Sequence, residues 1–138
     1  MATSAFIGIG TLFERLEGST WTAVSEITNI NGPQVTRDTV EATTLDSTAG
    51  FREFISGLRD GGNITLNMNF TATGYDLLNG DLMTDMVQTY RVVLPDEVYT
   101  FTFNAFVTEL AMGDISPDDR VQADCTLKIT GEVEVPSV

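Results

Sequence analysis

The residues that could perform acid–base or nucleophilic chemistry are few, and their spacing does not favour an active site. The sequence contains no histidine, which removes Ser-His-Asp and Cys-His nucleophile systems and the commonest zinc ligand. The carboxylate pairs at 96–97 and 118–119 remain, and two acids could in principle serve a glycosidase. Each pair follows a proline directly, a context typical of solvated turns. We therefore expect no catalytic residue and no enzymatic activity.

Two further stretches resemble ligand sites in composition only. The segment 113–119 offers oxygen ligands that could hold calcium, but it lacks the ligand spacing of an EF-hand loop. The glycines of 58–62 suggest a phosphate cradle, yet no GxxxxGK[ST] or GxGxxG motif is present and a strand follows instead of a helix. Turns are the better interpretation of both, and no metal or cofactor is expected.

The composition indicates one globular domain with little attraction to nucleic-acid phosphates. With 138 residues and 42% hydrophobic content, the chain suits a single domain, 1–138, with a real core. Its formal net charge of −13 disfavours sequence-independent binding to phosphates. The apolar stretch 5–10 is far too short to span a bilayer, so no membrane partner is expected. Cys125 lies on the apolar face of a predicted strand, where a lone cysteine is usually a small core residue.

Alternation of apolar and polar residues predicts a mainly β protein. In the clearest strand, 63–70, Ile64, Leu66 and Met68 alternate with polar side chains. One hairpin is predicted across Gly18-Ser19, and a second joins 91–94 to 99–107, where the pattern slips at 105–106 and suggests a bulge. The predicted strands are 11–17, 20–27, 35–42, 63–70, 91–94, 99–107 and 121–135.

One helix and one long connection interrupt these strands. Thr73 can cap a helix with Asp76 three residues later, and apolar residues then recur at helical spacing, which predicts a helix over about 73–87. The connection 43–62 exceeds the roughly 12–15 residues beyond which loops are usually functional or disordered. Its apolar side chains, among them Phe51 and Leu58, argue against disorder. We interpret this connection as an arm that docks on another surface.

The order of several short motifs resembles that of one known family. In chain order the motifs are Asn31-Gly32-Pro33, 43–46 (TTLD), 51–58 (FREFISGL), Gly61-Gly62, Asn69-Phe70, 91–96 (RVVLPD) and 127–131 (LKITG). They cover almost the whole chain, and their order is more specific than any single motif. On these residues the chain resembles the major tail proteins, or tail tube proteins, of long-tailed, lambda-like bacteriophages.

The resemblance implies a fold and a mode of assembly. The implied fold is a β-sandwich or barrel-like tube domain with one flanking helix and a long inter-strand loop, and its hexameric rings stack into a tube. If each subunit supplies about four strands, a shared barrel of roughly 24 strands at ~4.8 Å spacing and ~40° tilt is about 48 Å across, which admits duplex DNA. The implied partners are further copies and other tail proteins such as the tape measure, tail tip and terminator. DNA passes without specific binding, in a virion made in the bacterial cytoplasm.

The same resemblance assigns candidate surfaces. In this family the long loop reaches the neighbouring ring, and the strands beside it belong to the sheet that faces the lumen. From the residues themselves, because Phe6, Ile7 and Ile9 stand among small residues, the N-terminal arm, 1–10, is expected to add contacts between subunits. The implied inter-ring residues are Leu45, Phe51, Arg52, Phe54, Ile55 and Leu58. The implied lumen-lining residues are Asp38, Glu41, Asn63, Thr65, Asn67 and Asn69.

Two alternative functions stay open at this point. A related six-fold tube protein from a contractile injection machine would have much the same sequence pattern. A small β-sandwich module that binds carbohydrate belongs to a different class, but Trp21 is solitary and the other aromatic residues alternate into the core. Tubes under the microscope would support a tube protein, whereas a monomer that binds glycans would support the binding module.

Overall fold

The computed structural model describes residues 10–24, 26–46, 48–95 and 99–135, which form two β-sheets and one α-helix. The predicted N-terminal arm lies outside the described residues, apart from Gly10. Helix α1, Ala72–Met83, lies between the sixth and seventh strands. The strands are β1 Leu12–Glu17, β2 Thr20–Ala23, β3 Ile27–Asn31, β4 Thr36–Glu41, β5 Phe54–Asp60, β6 Asn63–Asn69, β7 Gln88–Val93, β8 Thr100–Met112 and β9 Gln122–Glu134.

The larger sheet carries the hydrophobic core on one face. Its seven strands follow the order β2-β1-β7-β8-β9-β6-β3, and neighbours are antiparallel. Alternate residues of β6, β8 and β9 are buried, and Leu78 of α1 packs among them. Phe13 of β1 stacks on Tyr90 of β7 with ring centroids 5.4 Å apart. The isoleucines of edge strand β3 pack against the same cluster, so one core joins the helix to the whole sheet.

The strand pairings confirm both predicted hairpins. Glu17 pairs with Thr20 across the first turn, and Val93 pairs with Thr100 across the second. Cys125 is fully buried on β9, and this burial raises the pKa of its thiol to about 12, so the thiol stays protonated at neutral pH. The mainly β fold with one flanking helix is confirmed.

The strand irregularity predicted near 105–106 is present, but the alternation itself does not slip at those two residues. Phe103, Ala105 and Val107 are all buried, so the alternation continues, and Phe106 faces away from the core. The large apolar side chain of Phe106, at an outward-facing position, made the pattern look interrupted in the sequence. The register between β8 and β9 shifts on either side instead, between Thr102 and Asn104 and between Val107 and Glu109.

The helix begins and ends earlier than the predicted 73–87. Thr71, not Thr73, is the N-cap, because its Oγ1 accepts a hydrogen bond from the Gly74 amide at 3.1 Å. The local sequence allows either threonine hydroxyl to cap a helix. Thr71 is the cap because the chain enters the helix directly after β6 ends. At the other end the Thr84 amide donates to the Gly80 carbonyl, and Met86 lies beyond the helix, exposed.

The predicted long loop 43–62 is only partly a loop. Its second half contains β5, which pairs with β4 in a separate two-stranded sheet. The sequence did not reveal this strand because both its faces are largely exposed, and an unburied strand has no need for alternating apolar and polar residues. We call residues 35–60 the β4–β5 hairpin.

Candidate assembly surfaces

The β4–β5 hairpin exposes a concentration of large apolar side chains. All the sequence-predicted inter-ring residues lie on it and are exposed, with Phe51 at 74% and Leu58 at 84%. Val40 pairs directly with Ile55 across the two strands, so these side chains share a face. Contiguous apolar exposure of this kind marks a surface that contacts another molecule.

The base of this hairpin is held firmly against β9. Gly61 is buried where a Cβ atom would approach Ile129 Cγ2 to 2.6 Å, so glycine alone fits without displacing that side chain. The Ile129 amide donates to the Gly62 carbonyl at 3.0 Å. Asp60 accepts from the Gly62 amide at 2.8 Å and from Lys128 Nζ at 3.0 Å. The turn predicted at Gly61-Gly62 is therefore present and anchored.

The charge of Asp60 contributes to this anchor at neutral pH. The Gly62 amide, and then Lys128, hold the pKa of the Asp60 carboxyl below its usual range. A carboxylate with a depressed pKa stabilises the folded state above its unfolded-state pKa, near 4, and loses that contribution as the pH falls through the lower folded-state value. Solvent screens this pair, so the contribution is small.

The second candidate surface is the polar face of β6. Asn63, Thr65, Asn67 and Asn69 lie together on the side opposite the core, as predicted. Their cross-strand partners on β9 are Lys128, Thr126, Asp124 and Gln122. Uncharged groups therefore dominate this face, with one cation and one anion. The buried Oδ1 of Asn69 has no hydrogen-bond partner among the described residues.

The structure does not bring Asp38 and Glu41 onto the polar face of β6. Both belong to β4, which pairs only with β5 in the sheets of the described chain. The prediction grouped them with the β6 residues because the two strands flank the same connection. The intervening β5 separates the strands into different sheets, so the candidate lumen residues form two groups within one protomer.

A buried network that sequence reasoning missed connects the helix to the sheet. Asp81 on α1 is only 3% exposed and accepts hydrogen bonds from Arg15 Nε and Nη2, both at 2.8 Å, and from the Tyr90 hydroxyl at 2.6 Å. Burial, reinforced by Asp81, raises the pKa of the Tyr90 phenol, which stays a donor at every physiological pH. Asp81 stands three residues after Leu78, on the apolar stripe of the helix. A lone acid in that position was the available signal for a buried cationic partner.

The sites considered for metal binding and acid–base chemistry can be located among the described residues only in part. No group of three or more His, Cys, Asp or Glu side chains within them could hold a metal ion. The carboxylates at 118–119 are exposed in the connection between β8 and β9, and the pair at 96–97 lies outside the described residues. Across the part of the chain that the structure describes, no helix is both long and apolar enough to cross a membrane.

Comparisons with known proteins agree with this architecture. A family model described as lambda phage tail tube protein matches residues 6–135. No curated protein sequence matches the chain. Among solved structures, the tail of an empty gene transfer agent particle, refined with C6 symmetry, is similar with a TM-score of 0.78 and 17% identity over 96% of this chain and 100% of that chain.

Two further solved structures contain chains with similar folds. A chain of the anti-feeding prophage baseplate has a TM-score of 0.74 and 14% identity over 99% of this chain and 97% of that chain. A chain of the sheath–tube complex of an extracellular contractile injection system has a TM-score of 0.69 and 18% identity over 93% of this chain and 88% of that chain. At such low identities the likeness establishes a shared fold.

Proposed function

The chain belongs to the lambda phage tail tube protein family, and from this premise we propose that it is a structural virion protein that assembles as stacked hexameric rings into a tail tube. The observation that carries the proposal is the β4–β5 hairpin, which exposes apolar side chains that its own domain does not cover. A subunit that stayed monomeric would keep this surface in water at a cost in solubility. Packing against a neighbouring ring removes the surface from water.

The seven-stranded sheet supports lateral association within a ring. It ends in β2 on one side and β3 on the other, and the outer edges of both strands have no strand partner among the described residues. Unpaired edges expose backbone donors and acceptors that a neighbouring subunit can cover. The C6 symmetry of the similar gene transfer agent tail supports six as the number of subunits.

We propose that the polar face of β6 lines the lumen and that DNA passes along it without specific binding. Its uncharged side chains and the net charge of −13 both suit this role, because each cation that neutralises a phosphate adds an attraction that transit must break again. The protein has no catalytic role in this proposal. Its partners would be the tape measure, tail tip and terminator proteins, the last supported by the similar fold in a tube-terminating cap.

Electron microscopy of the purified protein tests the proposal. Concentrated protein is expected to form hollow tubes with a regular ring repeat, because stacking buries the hairpin of every subunit except those in a terminal ring. The measurement is negative-stain imaging across a concentration series, with sedimentation to follow the polymer. A species that stays monomeric at every concentration would contradict the proposal.

Lysine substitutions in the lumen are expected to slow DNA release without preventing assembly. Asn67→Lys introduces six cations per ring in the proposed hexamer, each able to pair with a phosphate. Ejection from phage carrying this variant should slow at low salt and recover as salt rises, since the Debye length is about 8 Å at physiological ionic strength. Asp38→Lys tests in the same way whether the hairpin also faces the lumen.

The matched control for this experiment is Asp76→Lys, which changes the charge on an exposed position of α1. It should leave the ejection rate unchanged. Equal slowing by the control, or unchanged ejection of the Asn67→Lys phage at low salt, would show that the polar face of β6 does not line the lumen.

A tube protein of a contractile injection machine is the second candidate function. The similar folds in the anti-feeding prophage and in the contractile injection system favour it, since they span nearly the whole chain. A tube of this class carries a contractile sheath on its outside. Cosedimentation of assembled tubes with a sheath protein from the same source would support the contractile machine over the long-tailed phage.

A further inference from the structure

We infer that the β4–β5 hairpin of one protomer docks on the opposite end of a protomer in the next ring, on a surface that pairs its arginines with aspartates. We call this surface the acidic end. It consists of Phe70, Met112 and residues 113–121, the connection between β8 and β9. The inference rests on the proposed function and specifies which two surfaces meet when rings stack.

The two surfaces lie at opposite ends of β6. The hairpin enters β6 through Gly61-Gly62, immediately before Asn63, whereas Asn69 at the far end pairs with Gln122 at the start of β9. Six residue steps at about 3.3 Å separate these ends by roughly 20 Å. The acidic end is fixed there because the Phe70 amide donates to the Val121 carbonyl at 2.8 Å. When the hairpin of one protomer contacts the acidic end of another, the first protomer still has a free acidic end and the second a free hairpin. The same contact can therefore repeat along a stack of rings.

Both surfaces expose apolar side chains. On the acidic end Ile115 is 74% exposed and Met112 is 44% exposed, and Phe70, which packs on Tyr75, is partly exposed. The hairpin offers Phe54 and Leu58. Contact between the two sets would remove both from water, which is the main favourable contribution to association.

An unusual pairing of charges on the hairpin points to an external anion. Arg37 of β4 lies directly opposite Arg59 of β5 in the strand register, and like charges in that arrangement repel. Neither arginine has an ion pair within the described residues, and the same holds for the exposed Arg52 and Arg120. Arg15, Arg91 and Lys128 pair with carboxylates of their own domain. A carboxylate from another molecule would relieve this repulsion.

The acidic end supplies suitable carboxylates. Asp114, Asp118 and Asp119 are exposed there and outnumber the one cation of the segment, Arg120. None of the three aspartates has an ion pair with a cation among the described residues. The adjacent Asp118 and Asp119 can meet the two neighbouring guanidinium groups of Arg37 and Arg59. A chain of net charge −13 repels its own copies at long range. Local pairs of this kind therefore select the productive orientation of two rings.

A DNA phosphate is the other anion that two arginines could bind. The exposed Phe54 and Leu58 on the same hairpin favour a protein surface, because a phosphate backbone has nothing apolar to cover them. The two occupants predict different effects of charge reversal. Loss of DNA retention by intact tubes would indicate phosphate, whereas loss of stacking indicates a second copy of the chain.

Charge exchange tests the inference. The double variants Arg37→Glu with Arg59→Glu, and Asp118→Arg with Asp119→Arg, should each raise the protein concentration needed for tubes at least about tenfold, which corresponds to 1.4 kcal/mol. The quadruple variant has the wild-type net charge and restores opposite signs at the contact, so its tubes should return. Microscopy and sedimentation at low salt are the measurements, with thermal melting to show that each variant is folded.

A control of equal net charge separates the contact from overall repulsion. It combines Arg37→Glu and Arg59→Glu with Asp85→Arg and Glu109→Arg, two exposed acids outside the hairpin and the acidic end. This control should not restore tubes. Normal tubes from either double variant, or none from a folded quadruple variant, would overturn the inference and leave the proposed function standing. Absence of tubes from the wild-type protein would overturn the proposed function itself.

Discussion

Replacing Phe54, Ile55 and Leu58 by serine is expected to abolish tube formation and leave a folded monomer. All three side chains are exposed on the hairpin, so the domain does not depend on them for its core. Burying each at an interface contributes roughly 1.5–3 kcal/mol, so the triple variant loses about 5 kcal/mol per protomer. At 1.4 kcal/mol per tenfold, the concentration required for tubes rises by roughly a thousandfold or more.

Sedimentation across a concentration series measures the loss of polymer, and circular dichroism measures the melting temperature. The matched control replaces Met83, Met86 and Val87 by serine, which removes three exposed apolar side chains at the end of α1. The control should still form tubes. Normal assembly of the hairpin variant would show that the hairpin is not the inter-ring contact.

A broader replacement, of residues 45–56 by a short Gly/Ser linker, should have the same outcome. Loop length by itself changes the free energy of folding little. This variant also removes part of β5, so the β4–β5 sheet would be lost while the seven-stranded sheet remains. A folded monomer from both variants would assign the defect to the contact surface of the hairpin.

Asp81→Ala is expected to destabilise the monomer by about 3 kcal/mol, the usual effect of breaking a buried ion pair by removing one partner. The substitution leaves the Arg15 guanidinium without its bidentate acceptor and the buried Tyr90 hydroxyl without a hydrogen bond. For a domain of this size the melting temperature should fall by roughly 10 °C. Tyr90→Phe, which removes only one hydrogen bond, should cost about 1 kcal/mol.

Thermal melting and denaturant titration measure both effects. Asp76→Ala is the control, because Asp76 is exposed on the same helix and its removal should change stability by less than about 0.5 kcal/mol. A loss in Asp81→Ala no larger than in Asp76→Ala would mean that the network does not hold the helix on the sheet. The hydrogen bonds and ion pairs of this network join Arg15, Glu17, Asp81 and Tyr90 and include no residue of the hairpin. The Asp81→Ala monomer should therefore still polymerise below its melting temperature.

The local alternation of apolar and polar residues was sufficient to predict the strands that bury one face. In β6, β9 and the first hairpin, alternation and Gly-containing turns predicted strands that the structure contains. The same reasoning failed for β5, since a strand exposed on both faces has no periodic constraint. It also misplaced the helix cap, because Thr71 and Thr73 offer the same local chemistry and the position where β6 ends decides between them.

The sequence by itself determined that histidine-based chemistry is absent and that the fold is mainly β, and it identified the apolar side chains of the long connection. Those conclusions depend on residue types and on patterns within a few positions. Only the tertiary structure decided that Asp81 meets Arg15 and Tyr90, that Arg37 lies opposite Arg59, and that Asp38 and Glu41 lie on a different sheet from Asn67. These arrangements bring together residues that are distant in sequence. They depend on strand order and register, and no local pattern of residues specifies either one.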